Sequence, residues 1–185
     1  AFRIAAGFAI IGALLAPISG DVAAKSVSKR QPIKLAAMEA HFETEKGASF
    51  VIGGIPDEET AEVKYAIKIP KVLSFLADGD FNSEVKGLKD FPRDEWPPVA
   101  VVHYAFQIMI FFGMVMMGIG ILYLIASFWK KHWLTKSWFL KMFVVAIPFG
   151  YIALEAGWTV TEVGRQPWII YGIMRTIDAV TPMPG

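Results

Sequence analysis

Glu155, Trp158, Glu162 and Arg165 follow one another at spacings of three, four and three residues, in a stretch that closes with Gly164-Arg-Gln-Pro-Trp168. Such spacings gather side chains on one helical face, here where a hydrophobic run leaves the membrane. Ionisable groups at membrane depth are costly, so they face a protein interior, a water path or a cofactor. The plainer alternative is a Glu162–Arg165 pair at i,i+3, worth about 0.2–0.5 kcal/mol.

Further polar and soft side chains lie at the start of another apolar run, His103-Tyr-Ala-Phe-Gln107-Ile-Met109-Ile-Phe-Phe-Gly113. Gln107 is an expensive amide in lipid and is expected to face neighbouring helices, with His103 one turn before it on the same face. Met109 falls on a different face, shared with Gly113 and Met116. A thioether there could be an axial haem ligand, and the glycine one turn on would let a flat macrocycle come close. Packing alone also accounts for a methionine in a chain with eight of them.

The elements that must position these groups follow from composition. The chain has 185 residues, 55% of them hydrophobic and gathered in runs, which marks a polytopic membrane protein. We expect an all-α, polytopic transmembrane helix bundle with a long extracytoplasmic loop. Residues 1–18 read as a truncated transmembrane helix and 19–98 as the loop. Residues 99–129 read as a transmembrane helix free of Lys, Arg, Asp and Glu, 130–137 as a cytoplasmic loop and 138–163 as a transmembrane helix with Pro148 as its kink. Residues 164–185 read as an extracytoplasmic tail leading to a missing segment. The first residue is not Met, and the chain reads as an internal piece of a longer protein.

Orientation follows from Lys130, Lys131, His132 and Lys136, a short loop with no acid that the positive-inside rule assigns to the cytoplasm. Residues 19–98 hold 11 basic and 14 acidic residues and lack that bias. The net charge of +1, with no basic stripe, argues against nucleic acid, and the absence of cysteine excludes disulfides. Three histidines without a Cys/His cluster make a zinc site at His41 a poor reading.

Eighty loop residues exceed what a passive connection needs. Gln31-Pro-Ile-Lys34-Leu-Ala-Ala-Met-Glu39-Ala-His41 reads as a short helix with Pro32 in its first turn. Lys34 and Glu39 are five residues apart, about 140° around that helix, so they do not pair but could line a shared pocket rim. Otherwise they are ordinary surface charges. Residues 50–56 read as a strand or turn, 57–62 as a solvated acidic stretch, and 63–76 as a segment that packs on the membrane-facing body.

Five ordered elements resemble subunit I of the cytochrome bd-type quinol oxidases, in its C-terminal portion: Gln31-Pro-Ile-Lys34-Leu-Ala-Ala-Met-Glu39-Ala, Gly54-Ile-Pro-Asp57, Ala105-Phe-Gln-Ile-Met109, Glu155-Ala-Gly-Trp158, and Gly164-Arg-Gln-Pro-Trp168 with Arg175-Thr-Ile-Asp178-Ala-Val. The resemblance implies a quinol:dioxygen oxidoreductase of the aerobic respiratory chain in the bacterial inner (plasma) membrane, building a proton gradient. Its cofactors would be a low-spin haem b558, a high-spin haem b595, and a haem d or a haem b in its place, with ubiquinol or menaquinol as substrate.

By the same resemblance Lys34 and Glu39 bind quinol and Met109 ligates the low-spin haem iron. Glu162 ligates a high-spin haem iron, with Trp158 and Arg165 beside the haems; Glu155 supports those ligands or lies on a proton path, and Glu162 and Glu155 are the catalytic carboxylates. Gln107 sits at a haem-side position where some members carry Arg, and the loop suggests the short-loop, cyanide-insensitive type. Partners implied are subunit II, a small accessory subunit, membrane lipid, and the N-terminal helices of subunit I with their histidine ligands, which this chain lacks. By itself the chain is expected to be inactive. The rival class is a non-catalytic membrane binding or assembly protein, or a truncated product without haem. A transporter is disfavoured by the lack of paired broken helices.

Overall fold

The structure is a computed structural model that describes residues 2–179. Ala1 and residues 180–185, the end of the expected tail, lie outside the described residues. Five α-helices dominate: α1 (Phe2–Arg30), α2 (Pro32–Met38), α3 (Val72–Asp78), α4 (Val99–Phe128) and α5 (Ser137–Val163). Segments of α1, α4 and α5 are long and apolar enough to cross a membrane, which agrees with the all-α transmembrane expectation. At most 6% of any of these apolar windows is buried within the chain, so lipid or other helices must cover them.

The first helix does not stop at residue 18. It continues to Arg30, through Asp21, Lys25 and Lys29, because charge ends an apolar run without ending helix propensity. Lys29 and Arg30 in the last turn complement the negative end of the helix dipole. The fifth helix runs unbroken past Pro148.

The chain divides into two compact units. The first comprises residues 1–21 and 108–156. Its core is Ile10, Tyr123, Ala126 and Phe139, joined by Trp133, Met142 and Phe143. A Cβ on Gly120 would lie 3.7 Å from Ala13 Cβ, so α1 and α4 approach closely there. Gly150 on α5 similarly admits the Met116 thioether of α4, whose Sδ would be 3.7 Å from its Cβ.

The second unit comprises residues 22–107 and 157–185, and its connection is folded rather than open loop. Strands β1 (Glu45–Lys46), β2 (Phe50–Ile52), β3 (Ile55–Asp57), β4 (Glu62–Lys64), β5 (Ile67–Ile69) and β6 (Glu84–Val85) nest as antiparallel pairs β1–β6, β2–β5 and β3–β4. The β2–β5 and β3–β4 pairs share one register, so together they form a single hairpin interrupted at Gly53 and Gly54 opposite Tyr65 and Ala66. Gly53, Gly54 and Tyr65 all have positive φ at this break. A Cβ on Gly54 would meet Val63 Cγ1 at 2.5 Å, so the position requires glycine.

At the hairpin tip Asp57 accepts from the Glu59 and Thr60 amides at 3.1 and 3.2 Å and from Lys64 Nζ at 2.8 Å. The hydrogen bond from Lys64 holds the Asp57 carboxyl well below the usual carboxylate range. Residues 63–76 were expected to pack on the membrane-facing body; Tyr65 and Ile67 instead point outward, 91% and 67% exposed, while Leu73 is buried with Leu35, Ala48 and Ala77. A last pair, β7 (Trp168–Ile170) with β8 (Met174–Arg175), folds the segment after α5.

Candidate functional site

Helix α2 carries the expected quinol residues, and its sequence explains why it is short. Pro32 opens it, and Ala40 in the left-handed region closes it, with the His41 amide bonding the Ala36 carbonyl at 2.8 Å. Ile33 through Met38 are all buried: Ile33, Ala36, Ala37 and Met38 pack with Val99, Val102 and Ala105 of α4 and Val160 of α5, and Leu35 packs with Ala48, Leu73, Ala77 and Val85. The charged residues of this helix are therefore not surface charges: Lys34 is 8% exposed and Glu39 1%.

Lys34 and Glu39 have separate partners. Lys34 Nζ donates to the Thr161 carbonyl at 3.2 Å, in the last turn of α5, where carbonyls lack intrahelical partners. Burial lowers its pKa first, the Arg165 guanidinium lowers it further, and Glu162 opposes both. Glu39 accepts from the Val51 amide at 3.4 Å, and burial pushes its carboxyl up to about 8.

Gln107 and His103 face the interrupted hairpin. Gln107 donates from Nε2 to the Val51 carbonyl at 2.8 Å and accepts from the Gly53 amide at 3.2 Å. His103, fully buried, contacts the Met38 carbonyl at 2.9 Å through Nδ1 and the Gly53 carbonyl at 3.1 Å through Nε2. The break at Gly53 frees backbone groups from strand pairing, and α4 satisfies them. Gln107 thus meets backbone, not a neighbouring helix as expected, and both ends of its amide are used.

The opening stripe is only partly a helical face. The fifth helix ends at Val163, so Arg165 lies in the turn beyond it, where its Nη2 donates to Glu162 Oε2. The plainer ion-pair reading is therefore realised, between two partly exposed side chains. Gly164 lets this turn close: a Cβ there would lie 2.4 Å from the Val160 carbonyl oxygen and 3.4 Å from Lys34 Cε. Trp158 is 65% exposed, and Glu155 is exposed on the portion of α5 that belongs to the first unit.

Met109 also belongs to the first unit, half-buried on α4. A Cβ at Gly113, one turn on, would meet nothing within 4 Å, so this stretch of helix surface is open enough for a flat ring to approach. The thioether and the Glu162 carboxylate are donors suited to haem iron. Among the described residues, no three His, Cys, Asp or Glu side chains converge as a metal site would need.

Two contributors were not anticipated. Glu58, in the hairpin turn, accepts from the Val99 amide at 2.9 Å and so caps the start of α4 with a carboxylate, while Arg93 bonds the Glu58 carbonyl at 2.7 Å. Arg175 bonds Asp94 at 3.0 Å and lies 5.1 Å over the Trp168 ring, fixing the segment after the Gly164-Arg-Gln-Pro-Trp168 turn. An isolated Glu in an acidic stretch gives no sign in sequence that it caps a helix forty residues away.

Three helices long and apolar enough to cross a membrane point to an integral membrane protein. The profile of the family described as Cytochrome bd terminal oxidase subunit I matches residues 1–185. The chain belongs to that family. A Bacillus subtilis protein named "Putative cytochrome bd menaquinol oxidase subunit I" is 44% identical over 92% of this chain and 38% of its own length. Another from the same organism, "Cytochrome bd ubiquinol oxidase subunit 1", is 31% identical over 98% of the chain and 41% of its own. The solved bd oxidase of Geobacillus thermodenitrificans matches with a TM-score of 0.82 and 41% identity, over 93% of this chain and 39% of that one. The chain therefore spans about two fifths of the length of these relatives.

Proposed function

We propose that this chain is the quinol-oxidising and haem-flanking part of a cytochrome bd-type quinol:dioxygen oxidoreductase subunit. The observation that carries the reading is the burial of Lys34 and Glu39 on one short helix whose neighbours are the ends of two spanning helices. Ionisable groups removed from water without a mutual ion pair are costly, and such cost collects at functional sites.

Ubiquinol or menaquinol is the substrate in this reading. Lys34, anchored on the Thr161 carbonyl, supplies a donor to a quinol oxygen when it turns from that carbonyl. Glu39 is held near neutral pH by burial and can exchange a proton with a quinol hydroxyl. Haem, when bound, supplies one-electron acceptance from quinol and reduction of dioxygen to water. Met109 would hold the iron of the low-spin haem b, and Glu162 that of a high-spin haem, with Trp158 and Arg165 flanking. Glu155 lies on the proton path in this scheme. Gln107 serves by holding the hairpin at Val51 and Gly53.

Subunit II, a small accessory subunit and the remaining helices of subunit I, with their histidines, complete the enzyme. The Lys130, Lys131, His132, Lys136 cluster supports an extracytoplasmic second unit. Quinol protons are then released outside, which builds a proton gradient.

The test is the pair of activities of the intact oxidase. Lys34→Ala should slow quinol oxidation far more than oxygen reduction driven by an artificial donor. Equal loss of both would mean that α2 matters only as structure.

A further inference from the structure

The last four carbonyls of a helix lack intrahelical partners, and at the end of α2 each of them is met. The Leu35 carbonyl accepts from the Glu39 amide at 3.1 Å, Ala36 from the His41 amide at 2.8 Å, and Ala37 from the Ala40 amide at 3.2 Å. The left-handed turn at Ala40 makes the last two of these bonds possible. The fourth carbonyl, that of Met38, is met from α4 instead, by His103 Nδ1 at 2.9 Å.

Glu39 stands between that carbonyl and the left-handed turn. Its carboxyl has a long contact, 3.4 Å from the Val51 amide, so its place depends chiefly on where the backbone around it is fixed. Val51 is in turn fixed by Gln107, whose Nε2 donates to its carbonyl at 2.8 Å. His103 and Gln107 lie one turn apart on one face of α4. Between them they hold Glu39 from two directions. His103 acts through the carbonyl of the preceding residue, and Gln107 through the strand that meets the carboxyl.

Burial suits His103 to this task. The residue is fully buried, so water does not compete for the Met38 carbonyl. Its Nε2 lies 3.1 Å from the Gly53 carbonyl, which puts the ring between two backbone acceptors. A neutral imidazole has one N–H and serves one of them at a time, so the two contacts can be separated by substitution.

We propose that His103 is a positioning residue for quinol oxidation: by holding the Met38 carbonyl it fixes the Glu39 backbone, and with it the place from which the carboxyl meets a quinol hydroxyl. His103 exchanges no proton with the substrate in this role, since both of its nitrogens face backbone carbonyls.

This inference rests on the quinol-oxidation reading of Glu39, and its test separates the two. Rates of the full oxidase are taken per haem, so a variant that merely assembles poorly keeps the wild-type profile. His103→Leu removes both contacts and should slow quinol oxidation about tenfold or more, because a reacting group out of place is that costly. It should also move the Glu39 limb of the pH profile, near 8 in the wild type, to lower pH as water reaches the loosened carboxyl. His103→Asn brings its amide nitrogen near the place of Nδ1 and should keep both the rate and the limb. His103→Gln brings its amide near Nε2, keeps the Gly53 contact, and should behave like His103→Leu. A His103→Leu oxidase with the wild-type rate, or one that is slow with the limb unmoved, overturns the positioning role. So does a His103→Asn oxidase no faster than His103→Leu, or a His103→Gln oxidase as fast as the wild type. If Glu39→Gln keeps the wild-type rate and pH profile, the underlying reading falls and the inference with it.

Discussion

Glu39→Gln gives the sharpest thermodynamic test of the buried site. The carboxyl titrates near 8 in the folded chain against an ordinary value of 4.5. At about 1.4 kcal/mol per unit, ionising it in place costs at most about 5 kcal/mol. Between those two values the folded state binds the proton and the unfolded state does not, so stability falls as pH rises. The contribution is intact below the unfolded value, is about 3 kcal/mol down at neutral pH, and is fully lost above the folded value. Glutamine keeps the shape and an acceptor for the Val51 amide but cannot ionise. Its advantage over wild type should therefore grow by about 1.4 kcal/mol per pH unit from 4.5 to about 8 and then level off. Two readouts follow this: the infrared carbonyl band of a protonated carboxyl, absent from the variant, and the pH dependence of unfolding in both proteins. A band that titrates near 4.5, or a stability difference that is flat with pH, would refute the reasoning.

Other outcomes follow from particular contacts. Met109→Leu in the intact oxidase should convert the low-spin haem to a high-spin form with the fold near native, read from the visible spectrum; an unchanged low-spin signal would remove Met109 as a ligand. Gln107→Ala leaves the Val51 carbonyl and the Gly53 amide without partners, so it should cost about 1–3 kcal/mol and raise hydrogen exchange at residues 51–53. Gly164→Ala drives a methyl group into the Val160 carbonyl at 2.4 Å, so the turn carrying Arg165 must shift, and assembled enzyme should fall with it.

Much of the membrane part was legible because apolar run length is a strong signal: Val99–Phe128 and Ser137–Val163 differ from their expected bounds by one residue at one end of each. The first helix was cut short because the reading followed hydropathy, and residues 19–30 are polar yet helical. The hairpins were mostly hidden. Strands of two or three residues are too short to reveal a period, and their register is fixed by the Gly53–Gly54 break and by α4 side chains remote in sequence. Lys34 and Glu39 were singled out through motif order, but their burial could not be foreseen, since Lys34 lies against Gly164 and the Thr161 carbonyl and Glu39 against the Val51 amide, all brought in from elsewhere in the chain. His41 was set aside as a zinc ligand, and its burial leaves no sign in the sequence. Arg165 was assigned to a helical face that stops two residues before it.

The central claim is that this chain helps hold haems that receive electrons from quinol. The most direct measurement is a reduced-minus-oxidised visible spectrum of the native complex containing it, with quinol as reductant. The account predicts both low-spin and high-spin haem bands, reduced by quinol. An intact complex without haem bands would contradict it and leave the non-catalytic membrane protein as the better description.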